Sequence, residues 1–552
     1  MYKTQKYALN KGHIALFLYN IGMKNRAEIK QKIKSMSEEE LVDFILNNEI
    51  ELNWYREQIQ LLKKQRYSSS SEKTICGQLT LFNEVEDIHD HAQDIEAKEE
   101  PKNKKRKKHR EANYSKLPTK VIEHELEDKH CEVCGSELKE LAPQIIEVLK
   151  YQLARYYVER HIVHEYICPQ CTNESLEAEI TIAEGAPKRL IKGSVASPSV
   201  VAGIAFNKYV SGTPLYRQEQ ELKRKKIELS RATMSNWLMK CGELLEPIYD
   251  EIHKELRNQK HLHMDETTVT VLEDKTERQK SYMWMMASGK YEKHKCVLYS
   301  YHESREYGYA LELLGKGYRG SIHCDGYEAY HKLEGVTAIG CMAHMRRYFV
   351  EAMEINPLHK EGKRLRGIKL KAYCEAHSSY GHIVYIVNEI RKLFSYEKIY
   401  TEKGYEPKEI EKRRQEEQKP ILDELFRYIE ERETEYASQS KMGKAIAYAL
   451  NQKEYLMNYL RDGEAEISNN RGERYIKPFV MGRKAWLFSN TKSGAKMSSI
   501  YYSLVESAKE NHLDIQEYLR YILEEIQEQR ESVDYSKLMP YSKELPKELR
   551  IK

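Results

Sequence analysis

Apolar and polar positions alternate with different periods along this chain, and each change of period marks a new part. Leu41, Ile45, Asn48, Leu52, Tyr55, Ile59 and Leu62 step by four and three, the seam of a heptad repeat over three heptads, so a coiled coil is predicted there. Ser37 and Glu40 form a capping box in front of it. The same spacing also fits an amphipathic helix packed on its own domain. Residues 145 to 153 and 156 to 166 alternate as strands do. Pro214 to Arg224 reads as a helix, Lys225 to Leu229 as a tight connection, and Ser230 as the cap of a second helix through Trp237 and Leu238.

From His261 the period shortens to two. Strand-like runs occupy Leu262 to Asp265 and Thr268 to Leu272, read together as one strand, then Tyr282 to Ala287 and Val297 to Tyr301. A helix around Tyr307 to Leu314 follows, then strands ending at Asp325 and Cys341, then a helix from Met342 to Met353. A three-strand meander followed by alternating helix and strand is the order of a ribonuclease H-like domain, in which the first and fourth strands are central neighbours. More than a hundred residues of helical character, rich in Lys, Glu, Tyr and Leu, then lie before Glu473. Within them Lys403 to Gln418 is polar enough to predict a long exposed helix or loop.

Composition narrows the picture. The 552 residues suffice for several domains, and a net charge of only +4 makes basic character a matter of location. Lys102 to Arg110, including Lys104, Lys105, Arg106, Lys107 and Lys108, is a run that cannot bury itself and that adds salt-sensitive affinity beside nucleic acid. Cys131-x-x-Cys134 and Cys168-x-x-Cys171 have the spacing of a tetrahedral four-thiolate Zn²⁺ site, a structural one because no position remains open to water. The other six cysteines are scattered, which favours a reducing, cytoplasmic setting, and no apolar run is long enough to span a bilayer. The helix pair at 214 to 238 resembles a helix-turn-helix, which would present Arg231, Thr233 and Ser235 to a major groove.

Three acids stand where a metal-dependent nucleic-acid enzyme needs carboxylates. Asp265 and Asp325 close strand-like runs, and Glu473 begins a polar helix. Hard divalent cations take oxygen ligands from few side chains and leave room for phosphate. Glu266 is the nearest rival to Asp265 but points to the other face of its strand, whereas His263 and His323 share the faces of Asp265 and Asp325 and suit supporting roles. Arg346, Arg347, Arg474, Arg483 and Lys484 are candidate phosphate contacts, and Trp486 is assigned to the core.

These blocks resemble the large transposase of the insertion sequence 66 family, a DDE-type enzyme. The likeness is carried by Arg66 to Lys73, the paired CxxC knuckles, Pro214 to Glu219, Asp265-Glu266-Thr267, Cys324 to Tyr327, Cys341 to Phe349, Asn469 to Arg474, Gly482 to Phe488 and the tail Ser503 to Leu523. Ser468 departs from it, where the family often has an acid. The resemblance implies an enzyme of a prokaryotic mobile element, associated with the nucleoid, that binds terminal inverted repeats. It would cut and join double-stranded DNA with two Mg²⁺ or Mn²⁺ ions on Asp265, Asp325 and Glu473. It would work as at least a homodimer, with accessory proteins encoded beside it and no membrane partner. The division expected is an N-terminal helical region at 1–66, a basic linker at 67–117, a zinc ribbon at 118–185 and the helix pair at 186–257. A core at 258–354 and 466–500, a helical insertion at 355–465 and a C-terminal helical element at 501–552 complete it. A ribonuclease H-like nuclease that does not join, and an inert zinc-ribbon DNA-binding protein, are the alternatives.

Overall fold

A computed structural model of the chain describes residues 37, 50–62, 156–159, 165–167, 180–182, 188–274 and 280–551. The four cysteines of the CxxC pairs, the basic run and the first three positions of the heptad seam lie outside the described residues. Two compact units are distinguished, one spanning residues 96–187 and the other the rest of the chain. In the first, β1 (Glu165–Ile167) pairs antiparallel with β2 (Ile180–Ile182). Tyr156 to Glu159, expected within a strand, are irregular and exposed.

The larger unit is mixed α/β around one five-stranded sheet. Its strands are β3 (His261–Val269), β4 (Ser281–Ser288), β5 (Val297–His302), β6 (Ser321–Cys324) and β7 (Thr337–Gly340), in the order β5-β4-β3-β6-β7. The meander β3-β4-β5 is antiparallel, while β6 and β7 run parallel to β3. The first and fourth strands of the sheet are therefore neighbours at its centre, as the order of runs predicts.

The expected helix pair is present and longer than expected. After α1 (residues 50–62) and α2 (Pro198–Tyr209) come α3 (Leu215–Arg224) and α4, which runs on from Arg231 to Arg257 because Leu245, Ile248, Ile252 and Leu256 continue its buried stripe. Ser230 caps α4 by accepting the Thr233 N–H, and Lys226 turns the join at φ 59°. Further along are α5 (Tyr307–Leu314) and α6 (Met342–Ile355). The helical segment that follows contains α7 (Gly367–Ala376), α8 (Ser378–Glu402), α9 (Pro407–Arg413), α10 (Lys419–Glu430) and α11 (Lys441–Asn451). Ile390, Leu393, Leu422, Phe426 and Ala445 give it its own core, to which α6 adds Met345 and Phe349. The chain then returns to the sheet through α12 (Asn470–Trp486), α13 (Lys492–Glu510) and α14 (Ile515–Gln529).

The polar stretch Lys403 to Gln418 is not simply exposed. Arg414 and Gln418 are fully buried in a π-helical turn, because the Arg414 guanidinium pairs with both oxygens of Glu397 at 2.9 and 2.6 Å. It also donates to the carbonyls of Tyr459, Asp462 and Ala465. At the amino end, Leu52 and Ile59 of the predicted seam are exposed, while Glu57 accepts the Lys441 N–H at 2.7 Å, placing an acid at the start of α11.

Serines of α13 satisfy the outer strand. Ser507 Oγ and Ser503 Oγ accept the N–H groups of Val297 and Tyr299 at 2.9 and 2.7 Å, and Asn458 donates to Ala338 on the opposite rim. Nearby on α13, burial pushes the Glu506 carboxyl up from 4.5 to about 6, only partly offset by Lys509. The folded state thus holds this proton more tightly than the unfolded chain. Its stabilising effect is full below about pH 4.5 and is lost as pH rises through 6, a difference of about 2 kcal/mol. Glu506→Gln should therefore be more stable than the parent at pH 7 but not at pH 4.5, as read by urea unfolding at both values.

Candidate active site

The register of the two central strands brings the first two acids together. β3 and β6 pair as His261↔Ser321, Leu262↔Ile322 and His263↔His323, and there the pairing stops. Two residues further on the same faces stand Asp265 and Asp325. Asp325 leaves the strand in a tight turn, its Oδ1 accepting the Tyr327 N–H at 2.9 Å. Gly326 is needed at this turn, because a Cβ there would lie 2.9 Å from the Tyr448 ring of α11. The third acid arrives on the first turn of α12, which packs on β3 and β4.

Asn469, just before that helix, is the rivet. Its Nδ2 donates to the Met264 carbonyl at 2.9 Å, its Oδ1 faces His263 Nδ1 at 2.8 Å, and its N–H points to Cys341 Sγ at 3.2 Å. One side chain thus ties the start of α12 to β3 and to the residue after β7. His263 Nε2 lies 2.7 Å from Glu466 Oε2, so both its ring nitrogens face oxygen acceptors. His323 stacks on His263, with centroids 4.3 Å apart, and accepts the Glu466 N–H at 2.7 Å. Although burial alone would raise it, His263 first and then Arg471 hold the Glu466 carboxyl well below its ordinary range. Both histidines are thereby fully engaged in holding the segment that leads to Glu473.

The carboxylates themselves are crowded. Burial, and then the charges of Glu266, Asp325 and Glu473, push Asp265 well above the usual carboxylate range. Burial and then Asp325 raise Glu266 to about 7, against the contrary pull of Arg305 and Tyr330. Arg305 contacts both Glu266 and Asp325, the latter at 3.3 Å, and lies 3.7 Å over the Tyr327 ring. Tyr330 donates its hydroxyl to Glu266. Glu473 is buried, with Arg347 Nη2 at 3.2 Å and His344 Nδ1 at 3.4 Å. Burial, then Arg347, lowers His344 to about 4, which keeps its imidazole neutral. Cys341, His344 and Glu473 offer donor atoms within 4.8 Å of one another.

Asp265 and Glu266, raised by burial and by the charges beside them, mark a site short of positive charge. Asp265, Asp325 and Glu473 supply hard oxygen donors, which suits Mg²⁺ or Mn²⁺ better than a soft cation.

The candidate phosphate contacts divide. Arg474 and Lys484 are exposed on α12, whereas Arg483 is half-buried and donates to Thr267 and Thr268 at 3.2 and 3.0 Å. Arg346 is half-buried on α6. Arg347, expected at a phosphate, is buried against Glu473, so its charge is spent within the site. On α4, Arg231 is exposed beside the Tyr216 ring, Thr233 supports the Ser230 cap, and Ser235 is half-buried. Trp486 packs edge-on against Phe479, in keeping with a core role. Sequence reasoning did not assign Arg305, Glu466, Asn469 or His344. Of these only Asn469 and His344 had a local signal, the former beside Glu473 and the latter three residues after Cys341.

Comparison with known proteins finds four family profiles along the chain. Residues 193–497 match the Transposase IS66 family and 503–541 the IS66 C-terminal element. Residues 54–122 match the Transposase C of IS166 homeodomain, and 128–172 the zinc-finger binding domain of transposase IS66. Among curated proteins, Uncharacterized protein y4jD of Sinorhizobium fredii (strain NBRC 101917 / NGR234) is 27% identical over 424 residues, 74% of this chain and 77% of its own length. Uncharacterized protein y4qI of the same strain is 27% identical over 372 residues, 65% of this chain and 64% of its own. No solved structure matches.

Proposed function

We propose, from the premise that this chain belongs to the IS66 transposase family, that it binds the terminal inverted repeats of an insertion sequence, cuts the DNA there and joins the freed end to a target. The observation that carries the reading is the convergence of Asp265, Asp325 and Glu473 at the end of the β3–β6 pair. The strand order and the antiparallel meander support a ribonuclease H-like core at 258–354 and 466–500, interrupted by the helical segment at 355–465. Residues 118–185, with Cys131, Cys134, Cys168 and Cys171, serve as a Zn²⁺-held DNA-binding module, and 186–257 as a second one. The N-terminal helical region at 1–66 serves as a coiled coil, the linker at 67–117 adds phosphate affinity, and 501–552 braces the sheet.

Two Mg²⁺ or Mn²⁺ ions, when bound, would supply Lewis-acid activation of the attacking oxygen and charge stabilisation on the leaving one. Asp265, Asp325 and Glu473 hold those ions. Arg347 and His344 fix the Glu473 carboxylate, and Asn469 sets the helix that presents it. Arg305 holds Asp325 and Glu266 in place. Arg474 and Lys484 orient the phosphate backbone, and positioning of this kind supplies much of the rate. Joining two ends needs at least two copies of the chain, with accessory proteins of the same element as further partners.

The test is incubation of the full chain and Mg²⁺ with labelled DNA from the borders of its own gene, together with a plasmid target. Cutting followed by joining is expected. Cutting without joining would assign a nuclease instead, and binding without either, even with the neighbouring gene products present, would sink the enzymatic reading.

A further inference from the structure

α12 does more than carry Glu473. Arg474, Lys477, Met481 and Lys484 step by three and four along its outer side, and Phe488 continues the same series past its end. Between residues 470 and 489 the sole acid is the buried Glu473 itself. On other helices Lys223, Lys240 and Lys392 are paired with acids three or four residues away. Arg474 and Lys484 have no ion-pair partner among the described residues, so these two side chains keep their positive charge for something outside the chain.

The face ends in an apolar tip built on a strained turn. Leu487 stands at φ 67°, ψ −46°, and the Phe488 N–H donates to the Trp486 carbonyl at 2.9 Å, which closes a three-residue γ-turn. Leucine resists this conformation, and the strain persists only because the surroundings fix it. They do: the Ser489 N–H donates to Thr270 O and the Leu272 N–H to Ser489 O, both at 2.9 Å, bolting the turn to the continuation of β3. The result is that Leu487, Phe488 and Leu272 are 65%, 44% and 59% exposed, side by side on a rigid mount. A fixed apolar tip at the end of a basic track has the charge and shape to enter a step of a nucleic-acid duplex, as apolar wedges do.

We infer that α12 and its terminal turn form a DNA wedge: Arg474, Lys477 and Lys484 follow the phosphates leading to the carboxylate site, and Phe488 with Leu487 enters and unstacks one base step. This rests on the transposase reading and assigns it a residue pair that the reading alone does not. From Glu473 to Trp486 the helix rises about 20 Å, which is about six base-pair steps, so the disturbed step lies at roughly that distance from the cut.

The test uses the full chain carrying Asp325→Asn, with duplexes of the terminal sequence bearing 2-aminopurine at each of several positions inward from the end. A severalfold fluorescence rise at one position is expected. Phe488→Ala should abolish it, Phe488→Tyr should keep it, and Leu487→Gly, which relieves the turn, should melt no lower than its parent yet weaken the signal. Lys484→Ala should instead weaken binding to all sequences and reduce the salt slope by about one, leaving the rise intact at saturation. No rise at any position, or a rise unchanged in Phe488→Ala, overturns the wedge. Dissociation of a DNA-free dimer by Phe488→Ala overturns it in favour of a contact between copies. Failure of the catalytic reading looks different: a chain with Asp325 intact that unstacks DNA but neither cuts nor joins it.

Discussion

Asp265→Asn lowers Mg²⁺-dependent DNA cleavage by about a thousandfold or more, equivalent to about 4 kcal/mol of barrier, while leaving the metal-free protein at least as stable as the parent. The two effects have opposite signs for one reason. Asparagine has the same shape and keeps an oxygen for the Glu266 N–H, which Asp265 Oδ1 accepts at 2.8 Å. What it removes is a charge that burial first, and then Glu266, Asp325 and Glu473, disfavour by raising the Asp265 carboxyl. Without divalent ions that charge is a burden on the fold. With them it is an oxygen ligand, and its loss removes affinity and catalysis together. Thermal melting with and without Mg²⁺ separates the two: the parent should gain stability on adding the ion and the variant should gain much less. A variant that cleaves within tenfold of the parent would remove Asp265 from the site.

The second large effect lies far from the chemistry. Arg414→Ala should cost about 3–5 kcal/mol in chemical unfolding, since it leaves Glu397 with Gln418 but no charge partner and takes a donor from each of three carbonyls inside a packed helical core. Replacing both members with Met should recover much of the loss, because two apolar side chains leave no uncompensated charge. The damage should also reach the active site. The carbonyls of Tyr459, Asp462 and Ala465 that Arg414 gathers lie directly before Glu466, Asn469 and Glu473. Cleavage by Arg414→Ala should therefore fail at a lower temperature than that of the parent. If its unfolding midpoint stays with the parent's, the buried network does not hold the insertion together.

What could be read in the sequence and what could not follow a physical line. Strands β3 to β7 and helix α6 each carry their own period, and Asp325 follows its run where Gly326 interrupts the apolar pattern, whereas Asp265, expected to close a strand, stands in the middle of β3, which runs on to Val269 against β4. Those signals are local, so one sequence suffices. Arg305 and Glu466 take their partners from distant parts of the chain, and nothing beside them marks the contact. Arg414 shows the same limit in reverse. A polar run that buries a fully satisfied guanidinium has the composition of one lying in water, so Lys403 to Gln418 read as exposed. α4 read short for another reason: Pro247 lies within it, although Leu245, Ile248, Ile252 and Leu256 carry its apolar stripe on past Leu238. The CxxC pairs, by contrast, are legible from spacing alone, and the zinc-finger profile over 128–172 contains both of them.

The serines that cover β5 also set an order on synthesis. The strand is complete at His302, but Ser503 and Ser507, whose hydroxyls satisfy its outward N–H groups, follow only after the whole insertion and α12. A chain still emerging from the ribosome therefore presents an unclosed sheet rim through most of its translation, and an open rim pairs readily with any other extended strand. The last segment made is thus the one that takes the nascent protein out of reach of misassembly, and fragments ended before Ser503 are the ones that chaperones must shelter.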